Sequence, residues 1–172
     1  MGTAIHTFLP GAAALPVTNG ARYVEVPGTT TPQRYLAFAQ ASAVMEAYWD
    51  LTAKDYGSGN LTLELEWFAD SASSGSLVWG AAIGCYTLDT DITDWTAKAV
   101  STENIVIATH LGTGSGANAK RGQRASITIT SLDSIAANDA VQLRVRRVGT
   151  NGSDNMSGDG NLRKCVLSYS DT

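Results

Sequence analysis

A chain of 172 residues is long enough to bury roughly two-thirds of its unfolded surface in one core, so the length predicts a single domain. Twelve Lys and Arg against sixteen Asp and Glu leave a net charge of -4, which provides no overall basic field to hold a phosphate backbone and makes nucleic acid an unexpected partner. Two cysteines are too few for a structural zinc site.

The opening "MGTAIHTFLPGAAALP" lacks a basic n-region, and Pro10 interrupts its short apolar run, so neither a signal peptide nor a membrane span is expected. His6 stands where a myristoylation pattern wants Ser or Thr, and no acyl anchor is expected on Gly2. Residues 5 to 9 alternate as a strand, but residues 1 to 20 as a whole are apolar, proline-marked and weakly periodic. They read as a first strand packed across the domain, or as an arm whose Ile5, Phe8 and Leu9 need a partner to cover them.

Period-two alternation then recurs along the chain. It predicts strands near Tyr23 to Val26, Tyr35 to Ala39 and Val44 to Trp49, with one or two helical turns allowed in "TPQRYLAFAQASAVMEAYW", where a 3.6-residue period competes. In "NLTLELEWF", Leu61, Leu63, Leu65 and Trp67 share one side while Thr62, Glu64 and Glu66 share the other, the pattern of a half-buried antiparallel strand. After "ADSASSGS" comes "LVWGAAIGCYT", where Leu77, Trp79, Ala81, Ile83 and Cys85 share a face opposite small Gly80, Ala82 and Gly84; a hairpin is the economical connection. Further strands are expected near Ile105 to His110, Ala125 to Ile129, Val141 to Val148 and Leu162 to Tyr169. "LGTGSGANAKRG" reads as a flexible loop and "SLDSIAAND" as turns. About ten short strands between Gly/Ser/Thr/Asn/Asp clusters predict a sandwich or barrel, with residues 21 to 172 forming one domain.

Parts for catalysis are scarce. His6 and His110 belong to no HExxH pattern, and neither a GxSxG elbow nor a Walker loop is present. Glu64 and Glu66 lie about 7 Å apart on one strand face, a spacing compatible with an acid/base pair but produced routinely by a solvated face, which is the preferred reading. Asp89, Asp91 and Asp94 suggest calcium at first sight, yet an EF-hand loop needs Gly in place of Asp94 and Glu in place of Val100. Trp67 and Trp79 share phase with Leu and Ile and are expected in the core; of the four tryptophans, only Trp95 reads as an exposed stacking surface for sugar. Cys85 and Cys165 read as buried thiols. Arg144 and Arg146 point outward, whereas Arg147 falls on the core phase and must be paired or sit at a sheet edge, with Asp154 and Asp159 as candidate partners.

In order and spacing, "YLAFAQ", "GNLTLELEWFADSASSGSLVWGAAIGCY" and "SLDSIAANDAVQLRVRRVGTNGSDNMSGDGNLRKCVLSY" resemble a family of small β-sandwich virion proteins of tailed phages, over most of the chain from residue 35. The sequence departs from that family at Val148, where an acidic residue is common. The resemblance implies an all-β, jelly-roll-like antiparallel sandwich in a structural role, and the missing catalytic set and cofactor loop agree with a non-enzymatic role without cofactor or metal. That role is a capsid decoration, or cement, protein, made in the host cytoplasm and placed on the outer capsid surface as a homotrimer that clamps neighbouring major capsid protein subunits. Ile5, Phe8 and Leu9 are then the candidate capsid contacts. The alternatives are a tail-fibre or receptor- and glycan-binding β-sandwich module and, behind it, a carbohydrate-active enzyme.

Overall fold

The computed structural model describes residues 2–27, 31–40, 44–70, 75–92, 94, 96–110 and 120–171. Among these residues the fold is all-β, with ten strands: β1 (Thr3–Phe8), β2 (Arg22–Val26), β3 (Gln33–Phe38), β4 (Met45–Thr52), β5 (Tyr56–Ala69), β6 (Gly75–Tyr86), β7 (Asn104–His110), β8 (Gln123–Ile129), β9 (Ala140–Arg147) and β10 (Gly160–Asp171). Among the described residues the only helical element is one 3-10 turn, Pro10–Ala12. The stretch in which a helical period competed is extended in both its described parts, β3 and β4.

The strands form two antiparallel sheets. A six-stranded sheet runs β2-β3-β10-β5-β8, with β1 also paired to β10, and a four-stranded sheet runs β4-β9-β6-β7. Long β10 serves two neighbours on one side: its start pairs with β3 through Leu162↔Leu36, and its end pairs with β1 from Cys165↔Phe8 to Ser170↔Thr3. The sheets face each other as a jelly-roll-like sandwich. Leu61, Leu63, Leu65 and Trp67 of β5 meet Leu77, Trp79, Ala81 and Ile83 of β6 in one buried cluster. Trp67 and Trp79 touch edge to face across it, with ring centroids 6.2 Å apart. Each such large apolar side chain contributes about 1.5–3 kcal/mol on leaving water, which makes this layer the main source of stability.

This arrangement corrects the expected hairpin. β5 pairs only with β10 and β8, and β6 only with β9 and β7, so the chain crosses from one sheet to the other between them. A hairpin would set their two apolar faces side by side, whereas the crossover sets them against each other.

β6 is buried on both faces, and this accounts for its small residues. Residues 99–103 pass over its outer side, with Ser101 N–H donating to the Ile83 carbonyl at 2.7 Å. Val100 rests beside Gly84, and the Glu103 carboxylate sits directly over Gly80, ion-paired to both Arg144 and Arg146.

The N-terminal segment is a strand followed by a strap. Phe8 is 7% exposed and packs on Trp49 at 6.0 Å, so it is a core residue and does not reach a neighbour, as an arm would require. Packing of His6 on Tyr169 and of Phe8 on Trp49 covers that side of β1 and leaves Ile5 and Leu9 65% and 57% exposed. Beyond the 3-10 turn the chain changes sheets: Ala14 and Tyr48 exchange backbone hydrogen bonds of 2.8 and 3.0 Å, and Glu46 N–H donates to Asn19. The edge of β4 is thereby covered.

Candidate functional site

The sequence candidates do not converge on one place. Glu64 and Glu66 lie on the outer face of the six-stranded sheet, each beside a cation on an adjacent strand: Glu64 reaches Arg124 diagonally at 4.0 Å, and Glu66 faces Lys164 at 3.2 Å. These are cross-strand charge pairs of a solvated face. His6 belongs to one sheet and His110 to the other, His6 bonded to the Tyr169 hydroxyl at 3.0 Å and His110 buried 6.1 Å from the Trp67 ring. The acidic loop satisfies itself, since Asp91 accepts from Thr87 N–H and Asp94 from both the N–H and the hydroxyl of Thr96. The Thr96 bonds hold the Asp94 carboxyl below its ordinary range. Among the described residues no three His, Cys, Asp or Glu gather as a metal-holding group. Trp49, Trp67 and Trp79 are buried, and Trp95 lies outside the described residues.

A half-buried aromatic surface comes instead from Tyr48. On β4, Ala47 and Trp49 turn inward, which puts Glu46, Tyr48 and Asp50 on the outer face of the four-stranded sheet; Tyr48 stands opposite Arg144 of β9, and Asp50 opposite Gln142. Two raised segments flank this floor. Ala14, Leu15 and Pro16 of the strap form one wall, and Lys98, Ala99 and Val100 form the other. The groove between them measures about 670 Å³, within the range of small-molecule and oligomer sites.

Its electrostatics follow from close packing of unlike groups. Burial first, then the Glu46 carboxylate, pushes the Tyr48 phenol above its ordinary pKa, while Arg144 pulls the other way. Arg144 reaches Glu103 at 3.5 Å through Nη2, but its Nε has no partner. Lys98 is held by Asp133 at 3.2 Å and lies 5.3 Å from the centre of the Tyr86 ring, which fixes that wall. One aromatic side chain, a carboxylate, a carboxamide and a guanidinium thus lie on the floor between an apolar wall and one headed by Lys98. Such a set offers alternating donors and acceptors to a ligand rich in hydroxyl groups.

Tyr48 escaped the sequence reading, although a signal was present: in "MEAYWDLT" it is an aromatic residue on the polar phase of the strand. A second aromatic depression, on the outer face of the other sheet, was equally missed. There Tyr35 meets Phe68 edge to face at 5.1 Å, beside Gln33, Lys120 and Arg163, around a volume of about 260 Å³.

No protein-family model matches the chain, and no curated protein matches it. Among solved structures it is similar to an arabinose-bound α-L-arabinofuranosidase, with TM-score 0.52 and 9% identity, over 92% of this chain and 23% of that one. It is likewise similar to the mosquito-larvicidal Cry4Aa toxin from Bacillus thuringiensis, with TM-score 0.52 and 12% identity, over 98% of this chain and 24% of that one. The C-terminal family 6 carbohydrate-binding module of a laminarinase from Zobellia galactanivorans matches with TM-score 0.49 and 9% identity, over 96% and 100% of the two chains. The chain spans about a quarter of the first two proteins, and at these identities the likeness shows the sandwich fold alone.

Proposed function

We propose that this chain is a non-catalytic β-sandwich module that binds a glycan along the groove of its four-stranded sheet. The observation that supports it is the floor itself: Tyr48 presents an aromatic face between Glu46, Gln142 and Arg144, all planar polar groups held in place by strand register. A sugar ring lays its C–H face on the phenol, and its hydroxyls exchange hydrogen bonds with the flanking carboxylate, amide and guanidinium. A rigid floor limits the ordering cost of binding.

Affinity electrophoresis against a panel of neutral soluble polysaccharides tests the reading, with Tyr48→Ala and Gln142→Ala as variants. Retardation of the native protein is expected, weakened about tenfold by Tyr48→Ala for the loss of one aromatic contact. Failure to bind any glycan in the panel, or binding indifferent to both substitutions, would sink it.

Capsid decoration is a second reading, favoured by Ile105 and Ile107, which are half exposed on β7, the last strand of the four-stranded sheet. A homotrimer on the virion surface that clamps major capsid subunits would cover them. Pelleting with empty heads tests it, and a protein that stays in the supernatant rejects it.

A further inference from the structure

Eight of the twelve Lys and Arg side chains lie within 4.0 Å of a carboxylate. Lys54, Lys120, Arg121 and Arg163 do not, although all sixteen Asp and Glu belong to the described residues. Three of these four cations gather at one place. Lys120 and Arg163 line the Tyr35–Phe68 depression, and Arg121 lies between Lys120 and another lining residue, Gly122.

The chain positions Arg163 by breaking its own alternation. β10 pairs Leu162 with Trp67 and then Lys164 with Glu66, so Arg163 is an extra residue in a bulge. Leu162 and Cys165 both stay buried, and Arg163 and Lys164 both turn outward. Bulges are a common device for re-aiming a side chain at a site. The nearby carboxylates are already engaged: Glu66 with Lys164 at 3.2 Å, Asp159 with Arg22 at 3.6 Å, and Asp70 by the Asn161 amide at 2.8 Å. Arg163 and Lys120 are left with no Asp or Glu carboxylate within 4.0 Å, beside an aromatic floor and the amide of Gln33.

We propose that this depression binds the carboxylate of an acidic sugar residue, its ring resting on Tyr35 and Phe68 and its anion held by Arg163 and Lys120. A planar carboxylate matches the guanidinium fork, and about 260 Å³ accommodates one sugar ring. A neutral ligand would leave both cations uncompensated. Single-stranded nucleic acid is disfavoured, because a phosphate backbone needs a row of cations at successive phosphates, and Glu25, Glu66 and Asp159 interrupt this face. The site lies on the opposite sheet from the Tyr48 groove and does not depend on it.

Titration calorimetry with polygalacturonate, alginate and hyaluronate, fully methyl-esterified polygalacturonate, monomeric galacturonate and oligo-dT tests the assignment. Binding to at least one carboxylated polymer is expected, weakening as NaCl is raised and lost on esterification. Arg163→Gln should weaken it about tenfold and Lys120→Gln by less, as charge-assisted hydrogen bonds are removed, while Lys54→Gln, which removes an exposed cation elsewhere, leaves it unchanged. Both cations are exposed, so unchanged melting temperatures would certify the variants. Competition by galacturonate would point to single sugar acids as sufficient ligands, and its absence to the polymer. Silence with all three carboxylated polymers, equal binding of ester and acid, indifference to both substitutions, or tighter binding of oligo-dT would overturn the proposal.

Discussion

Arg147 and Asp154 form an ion pair enclosed by the sandwich: each side chain is 1% exposed, and Nη2 stands 2.6 Å from Oδ1. The remaining donors of the guanidinium are used as well, Nε on Asp154 Oδ2 and the rest on the carbonyls of Phe38, Met156 and Gly158. Asp154 in turn accepts from Val78 N–H at 3.1 Å. One side chain therefore ties the end of β9 to the loop before β10 and to the end of β3. Asp159, the other candidate partner, faces Arg22 instead.

Breaking this pair from one side leaves a buried charge without compensation. Arg147→Ala is expected to destabilise the fold by about 3–5 kcal/mol in urea denaturation, with Asp154→Ala in the same range. The double variant should lose less than the sum, because no lone charge remains. A loss below about 1 kcal/mol for Arg147→Ala would mean that water reaches the Asp154 carboxylate.

The strands were legible because burial of one face imposes alternation, and the same logic put Arg147 on the core phase. Sheet membership was not legible. Periodicity states which side of β5 and of β6 is apolar but not whether those sides lie beside or against each other, so a crossover looked like a hairpin. Arg163 was hidden for a different reason: a bulge violates strict alternation at the very residue it re-aims. Tyr48 was visible as an aromatic on a polar phase, but its walls come from residues 14–16 and 98–100, which only the tertiary fold brings to it.

Gly80 allows the close approach of Glu103. A methyl group there would overlap the Glu103 carboxyl, which cannot retreat without leaving Arg144 and Arg146. Gly80→Ala is expected to cost about 1–3 kcal/mol as a local overpacking. It should also alter glycan affinity, since Arg144 forms part of the groove floor. An unchanged denaturation midpoint would show that the 99–103 segment lifts away freely.

The two thiols should be inert in the folded protein. Burial first, and then the nearby Asp133 and Asp139, pushes the Cys85 thiol up to about 12, and burial raises Cys165 as well. Nucleophilic attack requires the thiolate. Ellman's reagent at mildly alkaline pH should therefore find no reactive thiol in the native protein and both Cys85 and Cys165 after denaturation in guanidinium. Rapid native labelling of either cysteine would contradict the packing around it.

His6 makes the fold less stable as the pH falls. The Tyr169 hydroxyl donates to the Lys54 carbonyl at 3.1 Å, so in the His6–Tyr169 contact of 3.0 Å it is His6 Nε2–H that donates. The neutral ring therefore satisfies this contact, and partial burial lowers its pKa from the ordinary 6.5. The unfolded chain consequently takes up the proton first as pH falls. Stability from this residue is full above 6.5, declines as pH drops from there to the lower folded value, and is constant below it, where both states are protonated. Thermal melts between about pH 7 and about pH 5 should show the native protein losing stability relative to His6→Gln, since the variant has no group titrating at that position. Parallel curves for the two proteins would assign the acid sensitivity to other groups.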